Sequence, residues 1–289
     1  MWYNNPKQTH FFFRRMSMNE HIRTSNIERF TGFSDLYNQN RPSAPQEVVK
    51  ILTTYLQKRP QRIMDVGCGT GLSSFIWLDH ADHITGVEPS DDMRAVALKR
   101  WQEQNEPSQL KFVEGLSHQL DAPSESVDII TCSQSFHWME PESTLKEFAR
   151  VLRPGGIFAA YDCDWPPAFN WEIEERYKQL IALADSRARQ LAEQDKQAHK
   201  WNKSEHLQHI RESGLFRFSK EIVFHNWETC DATRYANIAL SQGGLQTALK
   251  LGANELSSLF EDFRKEVENT FAGETREILF SYRMRMGIK

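Results

Sequence analysis

The chain has 289 residues with 35 basic and 39 acidic side chains, a net charge of −4, so it offers no broad electrostatic attraction to nucleic acid or an anionic membrane. No apolar run approaches the roughly 20 residues that cross a bilayer. Four dispersed cysteines, Cys68, Cys132, Cys163 and Cys230, form no C-x-x-C, which fits free thiols in the cytoplasm better than disulfides or a metal site.

Residues 1–32 read as a loosely ordered leader. Phe11-Phe12-Phe13-Arg14-Arg15 is aromatic then basic, too short for the apolar core of a signal peptide, and Met16 or Met18 could be the true start. An amphipathic surface anchor is the other reading. From Phe33 onward the pattern firms up. Tyr37-Asn38-Gln39-Asn40-Arg41-Pro42 leads into an amphipathic helix over about 45–56. Arg41 has two readings: a bidentate partner for a carboxylate, or a surface arginine beside a helix start.

Arg62-Ile63-Met64 has strand character and runs into Asp65-Val66-Gly67-Cys68-Gly69-Thr70-Gly71, after which the apolar spacing of residues 72–78 predicts a helix. Strand, glycine-dense turn and helix start form a cradle in which backbone can approach a nucleotide-like ligand. Further strands are expected at residues 83–88, 110–114, 127–132 and 157–161. Between the last two, a helix over about 141–152 should end at Arg153-Pro154-Gly155-Gly156, where proline stops it and glycine turns the chain back. Glu88 ends the second strand, where a carboxylate can accept from both hydroxyls of a ribose or be an ordinary solvated acid. Met93 either lies on a ring face or is plain core. After Trp165-Pro166-Pro167 come a long helix over about 172–197, a short one at 206–213, strands at 218–227 and 277–288, and helical stretches near 233–240, 244–251 and 254–271.

The glycine turn is not the G-x-G-x-x-G of a dinucleotide site, because its third glycine arrives one step early, and it lacks the lysine of a P-loop. D-V-G-C-G-T-G instead resembles the first motif of class I S-adenosylmethionine-dependent methyltransferases. L-R-P-G-G before the fifth strand resembles an element of the same family. S-F-H-W after the fourth is similar to a small-molecule subgroup that includes trans-aconitate methyltransferases, with a methyltransferase type 11 domain. The resemblance covers about residues 41–164. It implies an α/β fold, a doubly wound, seven-stranded, mostly parallel sheet (Rossmann-like), with the last strand inserted antiparallel between the fifth and sixth. Helical cap insertions would occupy about 164–203 and 229–273 of a domain spanning 33–289.

The cofactor implied is S-adenosylmethionine. Asp65, Gly67, Cys68, Gly69 and Gly71 would cradle it, Glu88 and Pro89 would meet the ribose, and Met93 the adenine. Relatives carry an acid after the third strand; here Leu116 and Ser117 would hold adenine through backbone groups. Ser133 and Gln134 would complete the wall, with Tyr37 and Arg41 as a flap. His137 is the first candidate for general base or substrate hydrogen-bonding partner, with capping or ring orientation as its alternative. Asp162 and Asp164 come second. Phe136 and Trp138 would wall an acceptor pocket, with Trp165 and Tyr235 among the rings of the cap; those rings could equally fasten the cap to the sheet.

The function expected is methyl transfer to a small molecule, with a carboxylate oxygen as leading acceptor. A C- or N-methyltransferase of quinone or natural-product type and a catalytically silent cofactor-binding protein are the alternatives. Nucleic-acid partners, a membrane span and a metal are not expected, and oligomeric state stays open.

Overall fold

A computed structural model describes residues 34–192 and 199–289. The leader lies outside the described residues, as does the end of the helix expected to reach Gln197. The sheet is built from β1 (Arg62–Val66), β2 (His83–Val87), β3 (Leu110–Val113), β4 (Val127–Ser133), β5 (Leu152–Cys163), β6 (Phe218–Cys230) and β7 (Arg276–Ile288), in the order β3-β2-β1-β4-β5-β7-β6. The first five strands are parallel, and β7 runs antiparallel to both β5 and β6. The expected seven-stranded, doubly wound sheet with an inserted last strand is therefore present.

Strand geometry sends alternate side chains to opposite faces. Ile63, Ile129 and Ile157 join one core layer, beneath Val48 and Leu52 of helix α2 (Gln46–Leu56). Met64, Ile130 and Phe158 join the other, beneath Leu145 and Phe148 of a helix over Pro141–Val151. Both faces are covered, which is why the central strands read as nearly unbroken apolar runs. In chain order the helices are α1 (Ser34–Asn40), α2, α3 (Asp91–Glu103), α4 (Pro141–Val151), α5 (Trp171–Leu191), α6 (His206–Glu212), α7 (Ala232–Leu240), α8 (Gly243–Lys250) and α9 (Glu255–Phe271). Asn170 caps α5 and Asp231 caps α7, each side chain accepting from backbone N–H groups of the first turn. Helix α5 packs on α8 and α9, and α9 on α7. Among the described residues no helix is long and apolar enough to cross a membrane.

Two local expectations are corrected. Residues 72–78 do not form an α-helix: only a 3₁₀ turn at Phe75–Trp77 is present. Its hydrogen bonds close three residues ahead, from Ser74 to Gly71 and from Trp77 to Ser74, because the Ser73 and Ser74 hydroxyls are tied back to Asp65. The cradle is thus formed by the glycine loop and not by a helix terminus. L-R-P-G-G is also not a helix cap. Helix α4 stops at Val151, Leu152 already pairs with Val127, and residues 153–156 bulge out before Ile157 pairs with Ile129. Gly155, at φ +80°, makes that bulge possible.

Candidate active site

The glycine loop leaves β1 and is fixed at once to β2, since the N–H groups of Gly67 and Cys68 both donate to the Val87 carbonyl (2.8 and 3.2 Å). Gly67 has φ +68°, and a Cβ there would come within 2.6 Å of the Ser135 Cβ, so the position admits only glycine. Gly69, at φ +55°, is different: nothing lies within 4 Å of where its Cβ would be. Its N–H donates to Glu88 Oε2 and the Ser90 N–H donates to Oε1, both at 2.9 Å. Glu88 is thereby locked to the loop at the end of β2. Burial raises its carboxyl pKa, against the two backbone hydrogen bonds.

A cavity opens over this loop at the carboxyl ends of β1, β2 and β4, where open α/β sheets place ligands. Gly67, Cys68 and Gly69 form its floor. Glu88, Pro89 and Met93 form one side, and Leu116 and Ser117 another; Ser133 and Gln134 close the β4 end, and Tyr37 and Arg41 lie across it. Asp65 and Gly71, expected to touch a cofactor, stand outside this wall. Asp65 is fully buried behind the loop, where its Oδ2 accepts from Ser73 and Ser74 (2.6 and 2.7 Å) and its Oδ1 from Thr131 (2.9 Å). It shapes the loop from behind. Gly71 makes room for the Phe112 ring, 2.8 Å from where a Cβ would sit. Thr70 was missed by sequence reasoning although it lies inside the motif. It lines the cavity, and its Oγ1 is buried with no hydrogen-bond partner in the protein.

Beyond Tyr37, Arg41, Gln134 and Trp138 lies a second cavity, which shares those four residues with the first. It is bounded by His137, Trp165, Tyr177 of α5 and the α7–α8 junction at Ser241 and Gln242. Four cationic side chains line it, Arg41, Lys178, Lys200 and Lys203, together with the carboxylate of Asp185, and Lys203 is itself paired with Asp162. Arg41 is 8% exposed and packs over the rings of Trp165 (4.4 Å) and Tyr37 (5.0 Å). Its Nε and Nη2 donate to the Ser241 hydroxyl and carbonyl, and among the described residues it has no carboxylate partner.

Phe136 and Tyr235, expected at the acceptor pocket, line neither cavity. Phe136 is core, edge-on to Phe158. Tyr235 is fully buried against Phe169 and Phe271, with its hydroxyl donating to the Pro167 carbonyl, and fastens the helical layer. Asp164 pairs with Arg283 instead.

Asp162 is also set back from both cavities, at the hub of a buried cluster. Lys203 Nζ lies 2.7 Å from its Oδ1 and His137 Nδ1 3.5 Å, while His206 Nδ1 and Arg285 Nη1 are each 3.6 Å from Oδ2. Burial opposes its charge, but Lys203 and His137 hold the carboxyl well below the usual range. Burial, aided by Lys203, pushes His137 down to about 3, and burial pushes His206 down to about 4.

A base whose pKa falls on folding contributes stability that is complete above its unfolded value, near 6.5, and is lost as pH drops, because the unfolded chain takes up the proton first. Each histidine is worth about 1.4 kcal/mol per pH unit in that window. The raised carboxyls of Asp65 and Glu88 act in the opposite sense, so a single-site comparison isolates the histidine contribution. Between pH 6.5 and 5, urea unfolding of His206→Phe is expected to lose about 2 kcal/mol less than the wild type. Parallel pH profiles would contradict a neutral His206.

Residues 64–160 match the family model of a methyltransferase domain. A probable S-adenosylmethionine-dependent methyltransferase of Saccharomyces cerevisiae is 28% identical over 141 residues, 46% of this chain and 48% of that one. A ubiquinone/menaquinone biosynthesis C-methyltransferase of Campylobacter jejuni is 31% identical over 121 residues, 39% of this chain and 48% of the relative. The chain spans about half the length of the curated relatives it matches. A putative type II methyltransferase structure from Anaeromyxobacter dehalogenans superposes with a TM-score of 0.64 at 17% identity, covering 86% of this chain and 97% of that one, a likeness of fold.

Proposed function

We propose that this chain, whose residues 64–160 match the family model of a methyltransferase domain, is a class I S-adenosylmethionine-dependent methyltransferase that transfers a methyl group to a carboxylate oxygen of a small molecule. The observation that carries this reading is the pair of cavities meeting at Tyr37, Arg41, Gln134 and Trp138, one built on the glycine loop and the other rich in cations.

The first cavity suits the cofactor. Glu88 is placed to exchange its two backbone hydrogen bonds for ribose hydroxyls, the orphan Thr70 hydroxyl offers a polar contact, and Met93 with Leu116 gives apolar surface for a flat ring. When bound, S-adenosylmethionine supplies a methyl group already activated by its sulfonium charge. The protein therefore has to align the nucleophile and exclude water. Helices α5 and α7–α9, taken as a cap over the second cavity, serve that exclusion.

The acceptor follows from charge and basicity. An excess of cations favours an anion. His137, held down near 3, is neutral at pH 7 and too weak a base to take a proton from a phenol, amine or carbon. Asp162 is already paired with Lys203. A carboxylate arrives ionised and needs neither. The Campylobacter relative is named for C-methylation, and a carbon acceptor would require the proton removal that this site supplies poorly. Four free thiols suit a cytoplasmic setting.

The test has two stages. Calorimetry should register binding of S-adenosylmethionine and S-adenosylhomocysteine but not NAD; heat with NAD alone would end the reading. Labelled methyl transfer to carboxylic acids, phenols and amines should then give an alkali-labile ester. Alkali-stable label would move the reaction to carbon or nitrogen. Cofactor binding with no labelled product from any acceptor would leave a binding protein.

A further inference from the structure

We infer that Gln134 is the positioning residue that orients the acceptor carboxylate, acting together with the open edge of Arg41. The inference rests on the methyltransferase reading and goes beyond it in naming how the acceptor is read. Gln134 directly follows β4, borders both cavities, and is held at φ +53°, a left-handed conformation that costs a non-glycine residue about 1–2 kcal/mol. Its N–H donates to the Tyr161 carbonyl at 2.9 Å, which keeps the backbone there.

The orientation of its carboxamide is fixed by chemistry. Trp165 Nε1 lies 3.3 Å from Gln134 Oε1, and an indole nitrogen only donates, so the amide oxygen is the atom that faces it. The amide NH₂ is left as a pure donor with no partner among the described residues. The same Trp165 ring carries the Arg41 guanidinium at 4.4 Å. With Nε and Nη2 directed to Ser241, the remaining Arg41 nitrogen, Nη1, is likewise without a partner among the described residues. Two N–H donors, one neutral and one charged, are thus ordered around one indole at the seam of the two cavities. A carboxylate uses both. A neutral amide gains less, and a cation gains nothing.

The test uses the full chain saturated with S-adenosylhomocysteine, with benzoate as the anionic probe, benzamide as its neutral isostere and benzylammonium as the cation. Binding is read from the fluorescence of Trp138 and Trp165, which line the second cavity. Wild type should bind benzoate about tenfold or more better than benzamide, the ratio expected of one charge-assisted hydrogen bond. Gln134→Asn suits the left-handed backbone but falls one methylene short, and should weaken benzoate about tenfold, well beyond any loss of S-adenosylhomocysteine through the wall the two cavities share. Gln134→Glu still accepts from Trp165, yet should lose benzoate by about 100-fold and gain benzylammonium. Trp165→Phe, which frees the amide to rotate, should lower the benzoate preference towards that of Gln134→Asn. Unchanged benzoate affinity in the Gln134 variants, or a parallel loss of S-adenosylhomocysteine, overturns the assignment. A wild type that binds S-adenosylhomocysteine but does not prefer benzoate also overturns it, whereas a wild type that binds no S-adenosylhomocysteine overturns the methyltransferase reading itself.

Discussion

The Gly69→Arg variant is expected to lose S-adenosylhomocysteine affinity by about 100-fold or more, that is, at least about 2.7 kcal/mol, while folding almost normally. The two halves of that expectation have separate causes. No atom stands within 4 Å of a Cβ at position 69, so the side chain can leave the backbone without a clash, at the cost of the left-handed conformation at φ +55°, about 1–2 kcal/mol. The arginine nevertheless emerges from the floor of the first cavity, beside the Glu88 carboxylate that already accepts the Gly69 N–H. It would fill the space and take that carboxylate as its own partner. Calorimetry with S-adenosylhomocysteine, set beside urea unfolding, separates binding from folding. A dissociation constant within tenfold of wild type would mean that the glycine floor is not where the ligand lies. Gly67 makes a contrasting position, because there the clash with Ser135 would disturb the fold itself.

Asp65→Ala should be among the most destabilising single changes in the molecule, by about 3–5 kcal/mol, since three buried hydroxyls lose their acceptor at about 1–3 kcal/mol each. Three hydroxyls, of Ser73, Ser74 and Thr131, now donate to its two oxygens from positions with almost no solvent exposure. Each would be left buried and unpaired. Asp65→Asn should lose less, since one amide oxygen still accepts. Burial raises the Asp65 pKa against those three hydrogen bonds. An acid so raised contributes stability that is complete below its unfolded pKa and drains as pH climbs through the folded one. Asparagine removes that drain, so the gap between wild type and Asp65→Asn should narrow from pH 4 to pH 8. Urea unfolding measures both effects; a cost below about 1 kcal/mol for alanine would refute the role given to this carboxylate.

The strands were legible as short apolar runs separated by helix-length spacers, their arrangement was implied by the resemblance that the motifs carry, and the glycine turn marked the ligand end. What escaped was governed by side-chain ties that periodicity does not record. Residues 72–78 have helical spacing, but Ser73 and Ser74 are drawn to Asp65 and the segment tightens into a 3₁₀ turn. The same ties explain why Asp65, conspicuous in the motif, faces away from the cavity. Phe136 was expected at a pocket from its position after the fourth strand and Tyr235 from its place among the rings of the cap, whereas each is claimed by other rings. Thr70 was in view and passed over, because an orphan hydroxyl is visible only once its surroundings are known. The Asp162 cluster gathers residues 137, 162, 203, 206 and 285, and the Arg41–Ser241 hydrogen bond joins positions 200 apart. Neither separation leaves a trace in local sequence.

Four side chains are common property of both chambers, so a ligand in one that shifts any of them alters the free energy of filling the other. Thermodynamic linkage then makes the effect mutual: whatever factor a bound acceptor applies to the cofactor's dissociation constant, the cofactor applies to the acceptor's. Arg41, anchored to the α7–α8 junction, is the side chain through which such cooperativity would pass.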